Sequence, residues 1–204
     1  MKPQQLILVV MTVLLSACIA PVSAIPSDQA ASQQIASEQT NHAHDPGTGL
    51  PEELGEVEFE VSCTSEAQAE FNHAAALLHS FWFAPAIQSF NTVAELDATC
   101  AMAHWGVAMS LMNNPFTWPL TGQALVDGWT AVEKAMAVGA KTPREQAYID
   151  AVSTFYKDAD TMDHSTRALA YAAAMEQLAQ EHPEDTEAQI FHAIALVATA
   201  SPTD

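Results

Sequence analysis

Three segments of the chain repeat one pattern of small, aromatic and apolar residues, and this repetition constrains the fold more than any other feature. Each segment begins with Ala and has an aromatic residue two or three positions later, Ala five positions later and Leu eight positions later. The three segments are 69–77, 103–111 and 188–196. The first two segments begin 34 positions apart, at 69 and 103. Such self-similarity is typical of stacked helical units that bury their apolar faces against one another. The pattern therefore predicts a helical repeat domain.

Capping signals mark the starts of several predicted helices. In a capping box, a hydroxyl side chain and an amide or carboxylate side chain three positions later bind the free backbone N–H groups at a helix start. The chain has such pairs at Thr142 and Glu145, Ser65 and Gln68, and Thr186 and Gln189.

The predicted architecture is an all-α fold of about seven helices. Only 7 of the 204 residues are Gly, and a low Gly content favours helices. The apolar residues also recur with the helical period. Together these features predict helices at about 66–80, 84–96, 100–112, 121–138, 143–157, 163–181 and 186–200.

The acidic balance of the chain excludes one class of partners. There are 6 Lys and Arg against 25 Asp and Glu, a net charge of −19, and residues 3–133 contain no Lys or Arg. Such a chain repels nucleic acids and anionic lipids, so membrane contact is expected only through a lipid anchor. The acidity either serves solubility alone or attracts a basic partner or cations.

The first 24 residues have the layout of a secretory signal peptide. Lys2 precedes an apolar run at 6–15. Two cleavage sites compete: 15–18 resembles a bacterial lipobox, which would lipidate Cys18, and 22–24 fits ordinary signal peptidase. An uncleaved anchor is the third alternative, although the run is shorter than the roughly 20 residues that span a bilayer. All three predict an exported domain, which is periplasmic, lipid-anchored at the outer membrane or secreted.

Two cysteines remain beyond the signal, Cys63 and Cys100. In an oxidising compartment such a pair predicts a disulfide bond, which would stabilise the fold by roughly 4 kcal/mol by restricting the unfolded chain. The alternatives are two buried free thiols and, as a weaker one, a metal site built on two Cys.

Residues 25–62 are polar and acidic, and we expect them to form a flexible tether before a folded domain at 63–204. The stretch at 57–61 stands out, because it alternates apolar and acidic residues. This alternation predicts that it lies extended against the edge of the domain.

The repeated segments resemble the tetratricopeptide repeat family, whose units are helix-turn-helix pairs with a period of 34 residues. More narrowly, LLHSFWF at 77–83 and CAMAHWG at 100–106 are similar to the first unit of a set of exported bacterial repeat proteins. Ala86, Phe90 and Val93 stand where the family has Ala, Phe and Ala in its second helix. The resemblance thus implies tetratricopeptide-like hairpins.

The resemblance covers about residues 63–200 and departs from the family pattern in places. The family's usual Trp is replaced by Glu70, His104 and Gln189, and its usual Gly by Ala74, Ala108 and Ala193. The closing Pro is Ala98 in the first unit, although Pro183 closes a later unit. Members are longer, and repeat arrays end in a polar capping helix. Here the last predicted helix is apolar, so we expect that this sequence is incomplete at its C-terminus or, alternatively, that another subunit covers this helix.

The resemblance also implies a peptide-binding groove, because the first helices of successive family units line a concave face. Aromatic and Met side chains there suit an apolar or amphipathic peptide. The alternatives are that these residues form the core, or that the loop at 115–119 folds into the groove. The matching positions are Phe71, Leu78, His79, Trp105, Met109 and Met112.

No catalytic motif stands out, so we expect neither enzymatic activity nor a cofactor. Signatures of zinc peptidases, serine hydrolases, phosphate loops and dinucleotide-binding folds are missing from the sequence. His42, His44 and Asp45 are weak candidates for a Cu²⁺, Zn²⁺ or Ni²⁺ site. They lie in the predicted tether, without the supporting groups that metal sites usually have.

Three hypotheses for function remain open. The first is a helical-repeat scaffold that binds a protein or peptide in the bacterial cell envelope. The second is a periplasmic metal-binding protein that uses His42, His44 and Asp45. The third is a non-catalytic domain of a larger enzyme or transporter assembly.

Overall fold

The described part of the chain consists of helices and their connections. The structure is a computed structural model that describes residues 54–199, and no β-strand occurs within them. A 3-10 turn, Pro115–Thr117, lies between the third and fourth helices. The predicted all-α fold of about seven helices is confirmed. The helices are α1 (Ser65–His79), α2 (Phe83–Leu96), α3 (Ala101–Met112), α4 (Gln123–Val138), α5 (Pro143–Tyr156), α6 (His164–Glu181) and α7 (Thr186–Thr199).

The helix ends show how local sequence sets these bounds. α5 begins as predicted, because Thr142 accepts a hydrogen bond from the backbone N–H of Glu145 at 3.2 Å. α4 ends at Gly139, whose positive φ of 83° suits a residue without Cβ. α1 differs from the prediction, since its N-cap is Thr64 rather than Ser65.

Consecutive helices pack against one another, and α1, α3 and α5 also lie side by side. Two glycines permit close approach between neighbours. Gly106 in α3 lies against the ring of Phe90 in α2, and Gly128 in α4 lies against the ring of Tyr156 in α5. A Cβ atom at either glycine would overlap the ring, so both pairs depend on Gly.

The core is centred on five aromatic rings. α1, α3, α5 and α7 contribute Phe71, Trp105, Tyr148 and Phe191, all of which are buried. Phe59 lies among them, with ring centroids 5.4 Å from Phe71, 5.4 Å from Trp105 and 5.1 Å from Tyr148. Trp105 lies 5.5 Å from Phe191. Pairs of this kind contribute about 0.5–1.5 kcal/mol each beyond the burial of their surface.

The segment 54–62, which we call the N-terminal segment, precedes α1 without helix or strand structure and packs into the domain. Phe59 and Val61 are buried, whereas Glu58 and Glu60 are exposed. The segment therefore follows the predicted alternation of inward and outward residues. The described part of the predicted tether belongs to the packed domain, which begins before residue 63.

Cys63 and Cys100 form the predicted disulfide bond, with their Cα atoms 5.2 Å apart. The bond joins the end of the N-terminal segment to the start of α3. The segment is therefore held covalently at one end and by the burial of Phe59 near its middle.

Among residues 54–199, no helix is long and apolar enough to cross a membrane.

Several predictions lie outside the described residues. The predictions that lie outside are the signal peptide at 1–24, the lipidation of Cys18, the tether at 25–53 and the metal candidates His42, His44 and Asp45.

Candidate functional site

Five of the six predicted groove residues are buried, and Phe71 and Trp105 lie deepest, with 0% and 1% of their surface exposed. Phe59 packs on both rings, Phe90 also contacts Phe71, and Tyr148 and Phe191 also contact Trp105. The prediction that Phe71 and Trp105 line an accessible groove is therefore wrong, because the N-terminal segment occupies their face. We call the region around Phe59, Phe71, Trp105 and Tyr148 the closed end.

Side chains of α1 bind the backbone of the N-terminal segment at the closed end. Gln68 Nε2 donates to the carbonyl of Phe59 at 2.9 Å, and Gln68 Oε1 accepts from the N–H of Val61 at 2.8 Å. Asn72 Oδ1 accepts from the N–H of Phe59 at 3.4 Å. These side-chain amides satisfy backbone groups that would otherwise be buried without partners.

The first turn of α5 and Lys141, two positions before this helix, bind the other side of the segment. Arg144 Nη1 donates to the carbonyl of Glu60 at 2.7 Å. The carboxylate of Glu145 accepts from the N–H of Ser62 at 2.5 Å, and Lys141 Nζ donates to the Ser62 carbonyl at 2.8 Å. Two parts of the helical array therefore hold one extended stretch of backbone.

An ion pair fixes Arg144 in this position. Its Nε lies 2.5 Å from Asp185 Oδ2, which also accepts from the Tyr148 hydroxyl at 2.9 Å. Burial alone would lower the pKa of Arg144, but the hydrogen bond and charge of Asp185 raise it overall. Burial alone would raise the pKa of Asp185, but hydrogen bonds from Arg144 and Tyr148 hold it below its ordinary value. The pair therefore stays charged under ordinary conditions.

The other four predicted groove residues line a partly open apolar pocket, which we call the open end. Leu78, Met109 and Met112 are themselves buried, and His79 is half-buried. The pocket has a volume of about 50 Å³, which suits the end of one apolar side chain. Its walls come from α1, α2, α3, α6, α7 and the loop after α3. They are lined by the predicted residues Leu78, His79, Met109 and Met112 together with Phe81, Phe83, Asn113, Pro115, Trp118, Tyr171, Phe191, Ile194 and Ala195.

Phe81 forms an exposed rim of this pocket. The residue is 47% exposed and has a left-handed φ of 59°, which is unfavourable for a bulky side chain. Its ring meets Phe83 edge-on, with the centroids 5.8 Å apart. The tight turn between α1 and α2 thus presents an apolar side chain to solvent at a conformational cost.

His79 joins α1 to α7 at the pocket wall. Its Nε2 lies 2.7 Å from Glu187 Oε2, and its ring stacks on Phe191 with the centroids 5.2 Å apart. This contact holds the start of α7 against the end of α1. Phe191 and Ile194 of α7 therefore stand opposite α1 as a wall of the pocket.

The loop at 115–119 closes one side of the pocket. Trp118 packs on Phe155 with the centroids 4.7 Å apart, and its indole N–H donates to the carbonyl of Met112 at 2.9 Å. The loop also contacts α7, so it covers part of the predicted groove at the open end, whereas the N-terminal segment covers Phe71 and Trp105.

A cleft of about 510 Å³ adjoins the pocket, and we call it the acidic cleft. Glu187 lines the cleft and contacts His79 of the pocket, so the two cavities are neighbours. The cleft is lined by the carboxylates of Glu58, Glu60, Glu181, Glu184, Asp185 and Glu187 and by Arg144, His182, Pro183 and Thr186.

Side chains that suit a metal ion do not cluster in the described part of the chain. Among residues 54–199, no group of three or more His, Cys, Asp or Glu side chains could hold one. His104 on α3 is half-buried, and burial together with the charge of Lys134 lowers its pKa. The features that the helices do bring together are an apolar pocket and a neighbouring carboxylate-lined cleft.

Three residues that organise this region are not identified as such by the sequence. The alternation around Phe59 indicates that it faces the domain, but not that it lies at the centre of the core. Gln68 is predicted as a capping residue, whereas its side chain binds the N-terminal segment. The sequence around Arg144 does not indicate its role, because its partners Glu60 and Asp185 lie 84 and 41 positions away.

No protein-family model, no curated protein and no solved structure matches the chain. The tetratricopeptide resemblance therefore stays a prediction, and the candidate site rests on its own geometry.

Proposed function

We propose that this chain is a non-catalytic, exported scaffold of the tetratricopeptide type that binds a peptide segment of a partner protein at the open end. The observation that carries the proposal is the apolar pocket where α1, α3 and α7 meet. Concave apolar sites with a few polar groups are the usual form of a binding site. Here the polar groups are His79 and Asn113.

The size and lining of the pocket fit one anchoring side chain of such a segment. Burying an aliphatic or aromatic side chain contributes about 1.5–3 kcal/mol to binding. Met109 and Met112 supply unbranched side chains that adjust to different shapes. An anchor of this kind typically dominates the energetics of an interface.

The closed end supports the proposal, because it illustrates how this helical face accommodates an extended chain. Phe59 inserts its side chain between helices, and Gln68 and Arg144 bind the backbone on either side. Side-chain pockets combined with backbone hydrogen bonds are a general mode of peptide recognition. A partner segment at the open end would use the same mode.

The disulfide supports the proposed location. Disulfide bonds persist in oxidising compartments and are rare in the cytosol. The Cys63–Cys100 bond fits the export signal predicted for residues 1–24. Under this proposal the domain works in the cell envelope, lipid-anchored through Cys18 or free in the periplasm, or is secreted. The intact mass of the purified protein distinguishes cleavage before Cys18 from cleavage after Ala24.

Selection of a random peptide library displayed on phage against the purified protein tests the binding proposal. We expect the recovered peptides to share a bulky apolar residue and to bind with dissociation constants on the order of 1 μM. The substitution Phe81→Asn removes the apolar rim, and Asn tolerates the left-handed backbone at this position. It should weaken binding of the same peptides about tenfold.

A matched control separates the pocket from general surface hydrophobicity. Leu169→Gln removes an apolar side chain that is 55% exposed on α6, outside the pocket. It should leave peptide binding unchanged. The proposal fails if no peptide is enriched, or if Phe81→Asn and Leu169→Gln weaken binding to the same extent.

A further inference from the structure

The apolar pocket and the acidic cleft adjoin each other. His79 lines the pocket, Glu187 lines the cleft, and their side chains are 2.7 Å apart. A bound segment that anchors one side chain in the pocket can therefore reach the edge of the cleft. An extended chain advances about 3.3–3.6 Å per residue, so positions within a few residues of the anchor reach the cleft.

The cleft carries negative charge that the protein does not neutralise. Glu58, Glu60 and Glu184 are exposed and form no ion pair with any residue in the described range. Arg144 also lines the cleft, but its guanidinium is engaged by Asp185 and by the carbonyl of Glu60. The remaining carboxylates create a negative potential, and a concave shape concentrates it.

We infer that the partner segment carries Lys or Arg side chains within a few positions of its apolar anchor, and that the acidic cleft receives them. The inference rests on the proposed function and states the chemistry of the partner. The net charge of −19 acts in the same direction, because it repels acidic segments and attracts basic ones. The pocket then supplies most of the affinity and the cleft supplies selectivity for charge.

The peptides selected from the phage library provide the first test. We expect Lys and Arg to be enriched near the shared apolar residue, relative to the unselected library. Binding of these peptides should weaken as salt concentration rises, because exposed charge pairs are screened. Peptides in which Gln replaces the basic residues should keep the anchor and bind about fivefold to tenfold more weakly.

Two charge-matched variants locate the effect. The variant Glu58→Gln/Glu60→Gln/Glu184→Gln removes three of the six carboxylate charges that line the cleft and should lose most of the preference for the basic over the Gln-substituted peptides. The control Glu95→Gln/Glu133→Gln/Glu176→Gln makes the same change in charge at exposed positions outside both cavities and should keep the preference for basic peptides.

The outcomes separate this inference from the proposed function. Enrichment of apolar peptides without Lys or Arg, or an equal loss in both triple variants, would overturn the inference and leave the binding pocket in place. Failure to enrich any peptide would overturn the proposed function, and the inference with it. Loss of the basic preference in the cleft variant alone would support both.

Discussion

The closed end and the open end lie on neighbouring parts of one helical face, but only the closed end is covered. Trp105 lies under Phe59, whereas Met109 and Met112, one and two turns further along α3, line the pocket. All three residues are apolar and follow the same helical spacing. All three are buried, but the N-terminal segment, which lies outside the repeated segments, covers only the part of the face at Trp105 and leaves a pocket beside Met109 and Met112.

The two ends also differ in how firmly they are held. At the closed end, side chains of α1 and α5 bind the backbone of the N-terminal segment. The disulfide bond holds Cys63, the residue that follows the segment. At the open end, the His79–Glu187 contact holds α7 across the pocket. We therefore expect substitutions at the closed end to change stability and substitutions at the open end to change binding.

The largest effect on stability is expected from Phe59→Ala. It removes a ring from among Phe71, Trp105 and Tyr148 and should lower the free energy of unfolding by about 3–5 kcal/mol. Urea denaturation followed by circular dichroism measures this loss. Phe116→Ala is the control, because Phe116 is 69% exposed and its loss should cost less than about 0.5 kcal/mol. Similar losses in the two variants would show that Phe59 is not a core residue.

Removal of the disulfide should have the next largest effect. The variant Cys63→Ser/Cys100→Ser frees the end of the N-terminal segment and should cost about 2–4 kcal/mol. Reduction of the wild-type protein should shift the urea midpoint in the same direction. An unchanged midpoint would mean that the contacts of Gln68 and Arg144 hold the segment without the covalent bond.

Asp185 should make the stability of the closed end depend on pH. Asp185→Asn should cost about 1–3 kcal/mol at neutral pH, because it removes the charged partner of Arg144. The pKa of Asp185 lies below its ordinary value. Its ionised form therefore stabilises the fold above the unfolded-state pKa, and this contribution is lost as pH falls through the folded-state pKa. The difference between wild type and variant should shrink below about pH 4.

Urea titrations at several pH values measure this dependence, with Asp150→Asn as a control for an exposed Asp on α5. A difference between wild type and Asp185→Asn that stays constant across pH would contradict the role of the Arg144–Asp185 pair.

The smallest change in stability is expected at the open end. Phe81→Asn should alter the free energy of unfolding by less than about 1 kcal/mol, because Asn tolerates the left-handed backbone and the lost ring is half exposed. The same variant should lose peptide binding, whereas Phe59→Ala chiefly loses stability. A loss of more than about 2 kcal/mol for Phe81→Asn would place Phe81 in the core and remove the distinction between the two ends.

Local sequence accounts for most of the helical architecture. The helix predicted at 66–80 is Ser65–His79, and the one predicted at 143–157 is Pro143–Tyr156. The helix predicted at 121–138 begins later, at Gln123, because Gly122 adopts a positive φ of 60°. Capping residues, apolar phase and turn residues act over a few positions, so they can be read without the fold.

The site is only partly predictable, because its parts meet through long-range contacts. Phe71 and Met109 have the same local pattern and both are buried, but only Met109 lines the pocket, because Phe59 covers Phe71. Gln68 and Glu145 look like capping residues, but the buried N–H groups of the N-terminal segment compete for their side chains. The acidic cleft combines the N-terminal segment with the turn before α7, and no local signal joins the two.

The N-terminal segment also has a consequence for the order in which the domain is assembled. A chain is synthesised from its N-terminus, so Phe59 appears well before Tyr148, and Ser62 appears 83 positions before Glu145, its hydrogen-bond partner. The aromatic face of the first two helical hairpins therefore remains incompletely covered until the third hairpin has been synthesised. A chain truncated before residue 143 would keep its first four helices but would lack the residues that complete the closure, and it would be prone to aggregation.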